Sequence, residues 1–331
     1  MYSLLLLFTL LAGILQAVAG LAIPLDKRIV NGFLMPTVFA PYTVSLLKKA
    51  SETWYICGGS IISPNHIVTA AHCVVDTNGS AMPAANVSIG YNSIDKSKQT
   101  SVTSTKIFVH PQYASGSQRD SANDIAIVEV PTLKFGQNAE RIAIYDGDID
   151  SGQYLMAMGW GVTESNAVLL NILRGVLVMT GNTTDCQELN SAFNSNNGPQ
   201  ICTLGKLTPD HSTCGGDSGT SVVINYEGKQ MLAGLDSIAV YPDGGSCGVA
   251  TSAHFYVRVS THLDFVTKAT GLTLEYLTDE SGSVNVSSQG DAVKELGDAV
   301  SAGDDNASGS PGVFVVTQTV LVTPTGLPSG Y

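Results

Sequence analysis

With 331 residues the chain has enough length for one large core or two small ones. Charged residues make up only 13%, apolar residues 44%, and there are 34 glycines, a balance that suits an all-β protein with many turns. The formal net charge of −12 is the opposite of the basic footprint of nucleic-acid binders, so no nucleic-acid partner is expected.

In chain order, residues 1–19 predict a signal peptide. Leu4-Leu5-Leu6-Leu7-Phe8 supplies the apolar core and Ala17-Val18-Ala19 the small-residue cleavage site, which implies a secreted protein. A pro-segment over 20–28 follows and ends in Lys27-Arg28, a dibasic pair that reads as a processing site before Ile29. No other run of about 18 apolar residues occurs, so no stable membrane span is expected. Short β-rich runs begin at Tyr42–Leu47 and continue through Gly59–Ile62, Ile67–Ala70, Val87–Gly90, Lys106–Val109 and Asp124–Val130. A second series comprises Gln153–Trp160, Arg174–Thr180, Gln200–Thr203, Ser221–Ile224, Met231–Ile238 and Phe255–Val259. Gly, Pro, Asn and Ser separate them, the spacing of a sandwich or barrel in two β-rich halves. Ser260–Thr270 predicts a helix with Leu263, Phe265, Val266 and Ala269 on its apolar side, stopped by Gly271. Residues 272–331 turn to Ser, Gly, Asp and Thr and predict a disordered, low-complexity extension. Within it, Val313–Val322 is strand-like, too short to cross a bilayer as a helix, and has no assigned role; the extension also suits cell-surface association.

Six cysteines in an exported chain favour disulfides over metal, with 15 pairings open. Sequons at Asn78, Asn86, Asn182, Asn285 and Asn306 are glycosylation candidates.

Three short segments carry the chemistry. Cys214-Gly215-Gly216-Asp217-Ser218-Gly219 sets a serine among glycines whose backbone N–H groups can hold an oxyanion. A serine hydroxyl needs a base, and Thr69-Ala70-Ala71-His72-Cys73 supplies one upstream. Asn123-Asp124-Ile125-Ala126 sends an aspartate into an apolar strand, where it needs a partner. The order His, Asp, Ser is one of the few chain orders of this catalytic triad.

With Arg28-Ile29-Val30-Asn31-Gly32 and Gly159-Trp160-Gly161, these segments make five motifs in order, from Ile29 to about Gly271. The chain resembles the secreted serine endopeptidases of the trypsin/chymotrypsin family. The resemblance implies two six-stranded antiparallel β-barrels, about 29–140 and 141–271, with the active site in the cleft between them. It implies His72, Asp124 and Ser218 as catalytic residues, and N–H groups of Gly216 and Ser218 as the oxyanion hole. Ile29, freed by cleavage, would pair its α-amine with Asp217. The disulfides implied are Cys57–Cys73, Cys186–Cys202 and Cys214–Cys247. Ser212 would floor the substrate pocket and Ser237, Ile238 and Ala239 wall it, with Asp236 and His254 as pocket modifiers. Serine in place of aspartate at the floor points to a chymotrypsin-like or atypical preference rather than a strict one for Arg or Lys. Thr220 replaces the family's usual second glycine after the nucleophile and crowds that turn. The calcium loop of some relatives has only Asp95 as a carboxylate here, over Asn86–Lys98, so no metal is expected, and no cofactor. Protein or peptide substrates and protein inhibitors are the expected partners of a monomer. The alternative is a catalytically inactive homologue acting as a binding or inhibitory protein.

Overall fold

Valine, isoleucine, threonine and tyrosine dominate the segments that become strands, and Gly, Asn and Pro the turns between them. The computed structural model describes residues 32–50, 53–114, 121–136, 138–162, 169–244, 247–282 and 284–285. The signal peptide, the pro-segment, Ile29 and the extension beyond 285 lie outside the described residues.

The N-terminal sheet runs in the order β6-β5-β2-β3-β4-β8-β7, antiparallel throughout. Its strands are β2 (Thr43–Ala50), β3 (Thr53–Ser63), β4 (His66–Thr69), β5 (Val87–Tyr91), β6 (Thr100–Thr103), β7 (Lys106–Val109) and β8 (Ala126–Glu129). Only Ser104 and Thr105 separate β6 from β7, and their N–H groups bond to Val87 and Glu129 on the two flanking strands. With β6 and β7 taken as one bent strand, the sheet closes as a six-stranded barrel.

The C-terminal sheet follows β1-β10-β9-β12-β13-β14-β11, with β15 (Val284–Asn285) attached to β13. Its members are β1 (Phe33–Leu34), β9 (Tyr154–Gly159), β10 (Arg174–Met179), β11 (Gln200–Leu204), β12 (Ser221–Tyr226), β13 (Lys229–Val240) and β14 (Ala253–Arg258). A bridge between Thr180 and Thr203 links the end of β10 to β11 and closes the six central strands into a second barrel. The outer strand β1 comes from the N-terminal end of the described chain and pairs with β10.

Each barrel has its own filling: Val44, Leu46, Ile61, Ile67, Val87, Ile89 and Val128 in one, Leu155, Val176, Ile201, Val222 and Met231 in the other. A third cluster joins the two, with Tyr42, Ile62, Val68 and Ile127 meeting Met156, Met158, Val223, Leu235 and Val257. Strands with one side in a barrel and the other in this shared core are buried on both faces, so β8 reads Ala126-Ile127-Val128 without polar alternation. Helix α1 (Thr183–Leu189) is capped by the Asn182 side chain and tied down by the Cys186–Cys202 disulfide. Helix α2 (Leu263–Thr270) ends on Gly271 at φ 71°, the left-handed stop expected there.

Packing continues past Gly271. Helix α3 (Leu274–Thr278) puts Leu277 fully into the shared core, and Arg141 Nη1 donates to the Tyr276 carbonyl at 2.9 Å. Residues 272–282 therefore cover the molecule rather than trail from it.

Candidate active site

Strand β4 passes into one 3-10 turn, Ala71–Cys73, with His72 at its middle. Ala70 and Ala71 are fully buried, so their small side chains let the turn press into the first barrel, and Cys57–Cys73 fastens it to β3. Asp124 lies just ahead of β8, after a 3-10 turn over Ser121–Asn123. Its buried carboxylate accepts at Oδ1 from the His72 backbone N–H at 2.8 Å, and at Oδ2 from His72 Nδ1 at 2.7 Å and from Ser237 Oγ at 2.6 Å. An ionised carboxylate only accepts, so Nδ1 carries the proton and a neutral imidazole has its lone pair on Nε2. Ser237 reaches Asp124 from the other barrel; no sequence pattern around it announces that contact.

The turn from Cys214 to Thr220 is folded around Asp217. The Asp217 N–H donates to the Cys214 carbonyl at 3.0 Å, and the Thr220 N–H to the Asp217 carbonyl at 3.0 Å. The Asp217 carboxylate accepts from the N–H of Cys214 (2.8 Å) and of Gly161 (2.7 Å). The glycines of Gly159-Trp160-Gly161 owe their place to this carboxylate: a Cβ on Gly159 would stand 1.9 Å from Asp217 Oδ1, and one on Gly161 2.6 Å. Burial, and secondarily the Asp236 charge, push the Asp217 carboxyl up to about 8 against the two N–H bonds that lower it.

Ser218 is held across the cleft. Its carbonyl accepts from the Gly58 N–H of β3 at 2.8 Å and lies 3.6 Å from Cys73 Sγ, which is itself 3.7 Å from His72 Nε2. These sulfur distances are contacts, since Cys73 is oxidised. The Ser218 turn and the imidazole thus meet at one disulfide. The N–H groups of Gly216 and Ser218 have no acceptor among the described residues. Gly216 stands at φ 95°, where a side chain is strained, and its Cβ would come within 3.1 Å of Gly161 Cα. Thr220 packs its methyl on Gly58 of β3, where a Cβ would collide with Thr220 Cγ2.

On the far side of the turn, Ser212, Thr213, Asp236, Ser237 and His254 are all buried, while Ile238 and Ala239 are half-exposed. Asp236 and His254 meet through Thr213, whose Oγ1 donates to Asp236 Oδ1 at 3.0 Å and lies 3.1 Å from His254 Nδ1. Thr213 escaped the sequence reading, because a threonine beside a cysteine carries no signal of its own. The third disulfide, Cys214–Cys247, joins this wall to the loop after β13. Of the sequons, Asn78 and Asn182 are exposed and Asn86 half-buried; the side chains of Asn285 and Asn306 lie outside the described residues. Among the described residues one group combines metal-binding residue types, Cys57, His72 and Cys73, but its two sulfurs are joined as a disulfide and offer no thiolate. No helix among them is long and apolar enough to cross a membrane.

The family model described as Trypsin matches residues 29–266. Serine protease 1 of Drosophila melanogaster is 31% identical over 256 residues, 75% of this chain and 88% of the relative. The trypsin of Squalus acanthias is 28% identical over 73% of this chain and 95% of its own length, and the brachyurin of Leptuca pugilator 30% over 67% and 91%. Among solved structures, neuropsin, a serine protease expressed in the limbic system of mouse brain, superposes with a TM-score of 0.59 at 20% identity, covering 72% of this chain and 98% of neuropsin; that likeness concerns the fold alone. With the family model spanning most of the chain and both barrels in place, the chain belongs to the trypsin family of serine proteases.

Proposed function

We propose that this chain is a secreted serine endopeptidase, made with a signal peptide over 1–19 and a pro-segment over 20–28, whose catalytic residues are His72, Asp124 and Ser218. The observation that carries the reading is the grip of Asp124 on His72 Nδ1 at 2.7 Å, with the Ser218 turn packed against the same disulfide as Nε2. Ser218 Oγ attacks the scissile carbonyl while His72 Nε2 takes its proton. Asp124 stabilises the imidazolium, and Ser237 and the His72 backbone N–H hold the carboxylate in line. The tetrahedral oxyanion is bound by the N–H groups of Gly216 and Ser218, each worth about 3–4 kcal/mol of barrier in comparable sites. His72 then protonates the leaving amine, and water releases the acyl group by the same steps in reverse.

Activation follows from Asp217. A buried carboxylate beside a second one, Asp236, favours a cation, and the α-amine that cleavage creates at Ile29 supplies it. Ser212 at the pocket floor bears no charge, which supports a preference other than a strict one for Arg or Lys.

Labelling with a fluorophosphonate tests the reading. Protein cleaved before Ile29 is expected to react at Ser218, and Ser218→Ala and His72→Ala to abolish the reaction. Absence of labelling in the cleaved protein would identify an inactive homologue instead.

A further inference from the structure

His262 is a buried imidazole that the catalytic steps leave unused. It stands at the N-cap position of α2, yet its ring makes no bond to that helix's own N–H groups. Serine, threonine, aspartate and asparagine stabilise a helix from this position, so capping does not account for a histidine here. The ring reaches instead across to the N-terminal barrel, where its Nε2 lies 2.8 Å from the Ala122 carbonyl. A carbonyl only accepts, so Nε2 carries the proton and donates it. Ala122 is the middle residue of the 3-10 turn Ser121–Asn123, which leads directly into Asp124.

A single 3-10 turn has few bonds of its own and leaves polar groups for outside partners. The C-terminal half of the chain supplies donors at successive positions along it. Gln200 of β11, also buried, donates from Nε2 to Ser121 Oγ, His262 donates to Ala122, and Ser237 of β13 to the Asp124 carboxylate. Just beyond Asp124, the His110 N–H donates to the Ile125 carbonyl at 3.1 Å. The His110 ring stands edge-on to both His262 and Phe265, with ring centroids 5.0 Å apart in each case, and this packing limits how far the His262 imidazole can turn from Ala122. The aspartate is therefore held twice, its carboxylate by His72 and Ser237 and the turn that carries it by Gln200 and His262.

We infer that His262 and Gln200 are positioning residues for Asp124, which makes the first turn of α2 and the start of β11 part of the catalytic apparatus. The inference rests on the peptidase reading for the role of Asp124. Both bonds from His72 to Asp124, at 2.8 Å from its N–H and 2.7 Å from Nδ1, have to be made by one carboxylate. Only one placement of that carboxylate against the turn Ala71–Cys73 satisfies both. A shift of the turn Ser121–Asn123 spoils this match before it disturbs either barrel, and a displacement of about 1 Å can cost about 100-fold in rate.

The test uses protein cleaved before Ile29 and fluorescein-labelled casein. His262→Phe keeps an aromatic edge against His110 and removes the donor. Its kcat is expected to fall about 10- to 100-fold with KM changed less than about twofold, because the lost interaction serves the transition state. His262→Gln, whose amide can reach the same carbonyl, is expected to restore kcat to within about threefold of the parent. Gln200→Met, close in shape but without the donor, should lower kcat about three- to tenfold and carries the test if His262→Phe does not fold. A second readout needs no catalysis. The proton in the short bond between His72 Nδ1 and Asp124 gives a far-downfield NMR resonance, expected to be sharp in the parent and in His262→Gln and broadened in His262→Phe. Leu277→Ala loosens the same shared core and is the control for packing alone; kcat of the folded protein and the resonance are expected to stay unchanged. Unchanged kcat and resonance in folded His262→Phe and Gln200→Met, no recovery in His262→Gln, or an equal loss in Leu277→Ala would overturn the inference. A parent that neither reacts with fluorophosphonate nor cleaves casein removes the peptidase reading instead, and the resonance still decides whether His262 places Asp124.

Discussion

Asp217 shows how much a single residue can commit a fold to a later event. Desolvation is the largest influence on its carboxyl and raises it to about 8, so in the uncleaved chain the folded state binds a proton more tightly than the unfolded state does. Between about pH 4 and 8 the native state then holds the extra proton, and stability falls as pH rises through that window. Uncleaved protein is expected to melt at a lower temperature at pH 8 than at pH 5, and Asp217→Asn to flatten that slope. Cleavage before Ile29, which supplies the α-amine, should also remove it; differential scanning calorimetry of the three proteins is the measurement. The neighbouring glycines are constrained just as sharply. A methyl at Gly159 would collide with Asp217 Oδ1. Gly159→Ala should therefore cost about 1–3 kcal/mol in urea unfolding and reduce fluorophosphonate labelling, because the turn that carries Ser218 has to move. For Asp124→Asn the expected loss in kcat is about 10⁴-fold with little change in stability, since the amide would leave the imidazole in the wrong tautomer.

Among the elements, α1 depends on its surroundings. Its seven residues are too few for an isolated helix, and the Asn182 cap and the Cys186–Cys202 disulfide hold it against β11. Asn182 Oδ1 accepts from the Asp185 N–H at 2.9 Å, a signal present in the sequence but overshadowed there by the sequon it shares. Phe193 and Phe255 pack edge to face, ring centroids 5.8 Å apart, in the small core around this disulfide. Replacing both cysteines by alanine should lower stability by about 3 kcal/mol, the loop being short, and leave fluorophosphonate labelling intact because the disulfide ties α1 to β11 and holds none of His72, Asp124 and Ser218. Unchanged melting would show that the packing around Phe193 alone secures the helix.

Across the whole molecule, the shared core places the parts of the site in register. His72 and Asp124 come from the N-terminal barrel and Ser218 and Ser237 from the other, and Tyr42, Ile62, Met158 and Val257 fix the spacing between them. Helix α3 closes this core from outside, with Leu277 fully buried and Arg141 bonded to the last turns. Leu277→Ala is expected to destabilise the protein by about 2–5 kcal/mol by chemical denaturation. A chain ending at Gly271 should show a comparable loss, which would place the C-terminal edge of the folded unit beyond the helix that the sequence suggests as its end.

Two β-rich halves were legible because their strands leave marks that do not depend on context, β-branched runs between turn formers and a helix stopped by glycine; that they form barrels came from the resemblance carried by motifs in a fixed order. Histidine, aspartate and serine could be singled out for the same reason, each standing in a local setting that an ordinary residue seldom has. Contacts that cross from one barrel to the other leave no such mark. Ser237 on Asp124 and Thr220 over Gly58 each join one barrel to the other, and nothing in a linear pattern records which of many buried side chains will meet across the two. Hydrogen bonds between distant side chains are set by the angle and distance at which two finished sheets pack. Reactive chemistry could therefore be proposed from local motifs, whereas the contacts that hold those motifs together emerged only once the barrels were together.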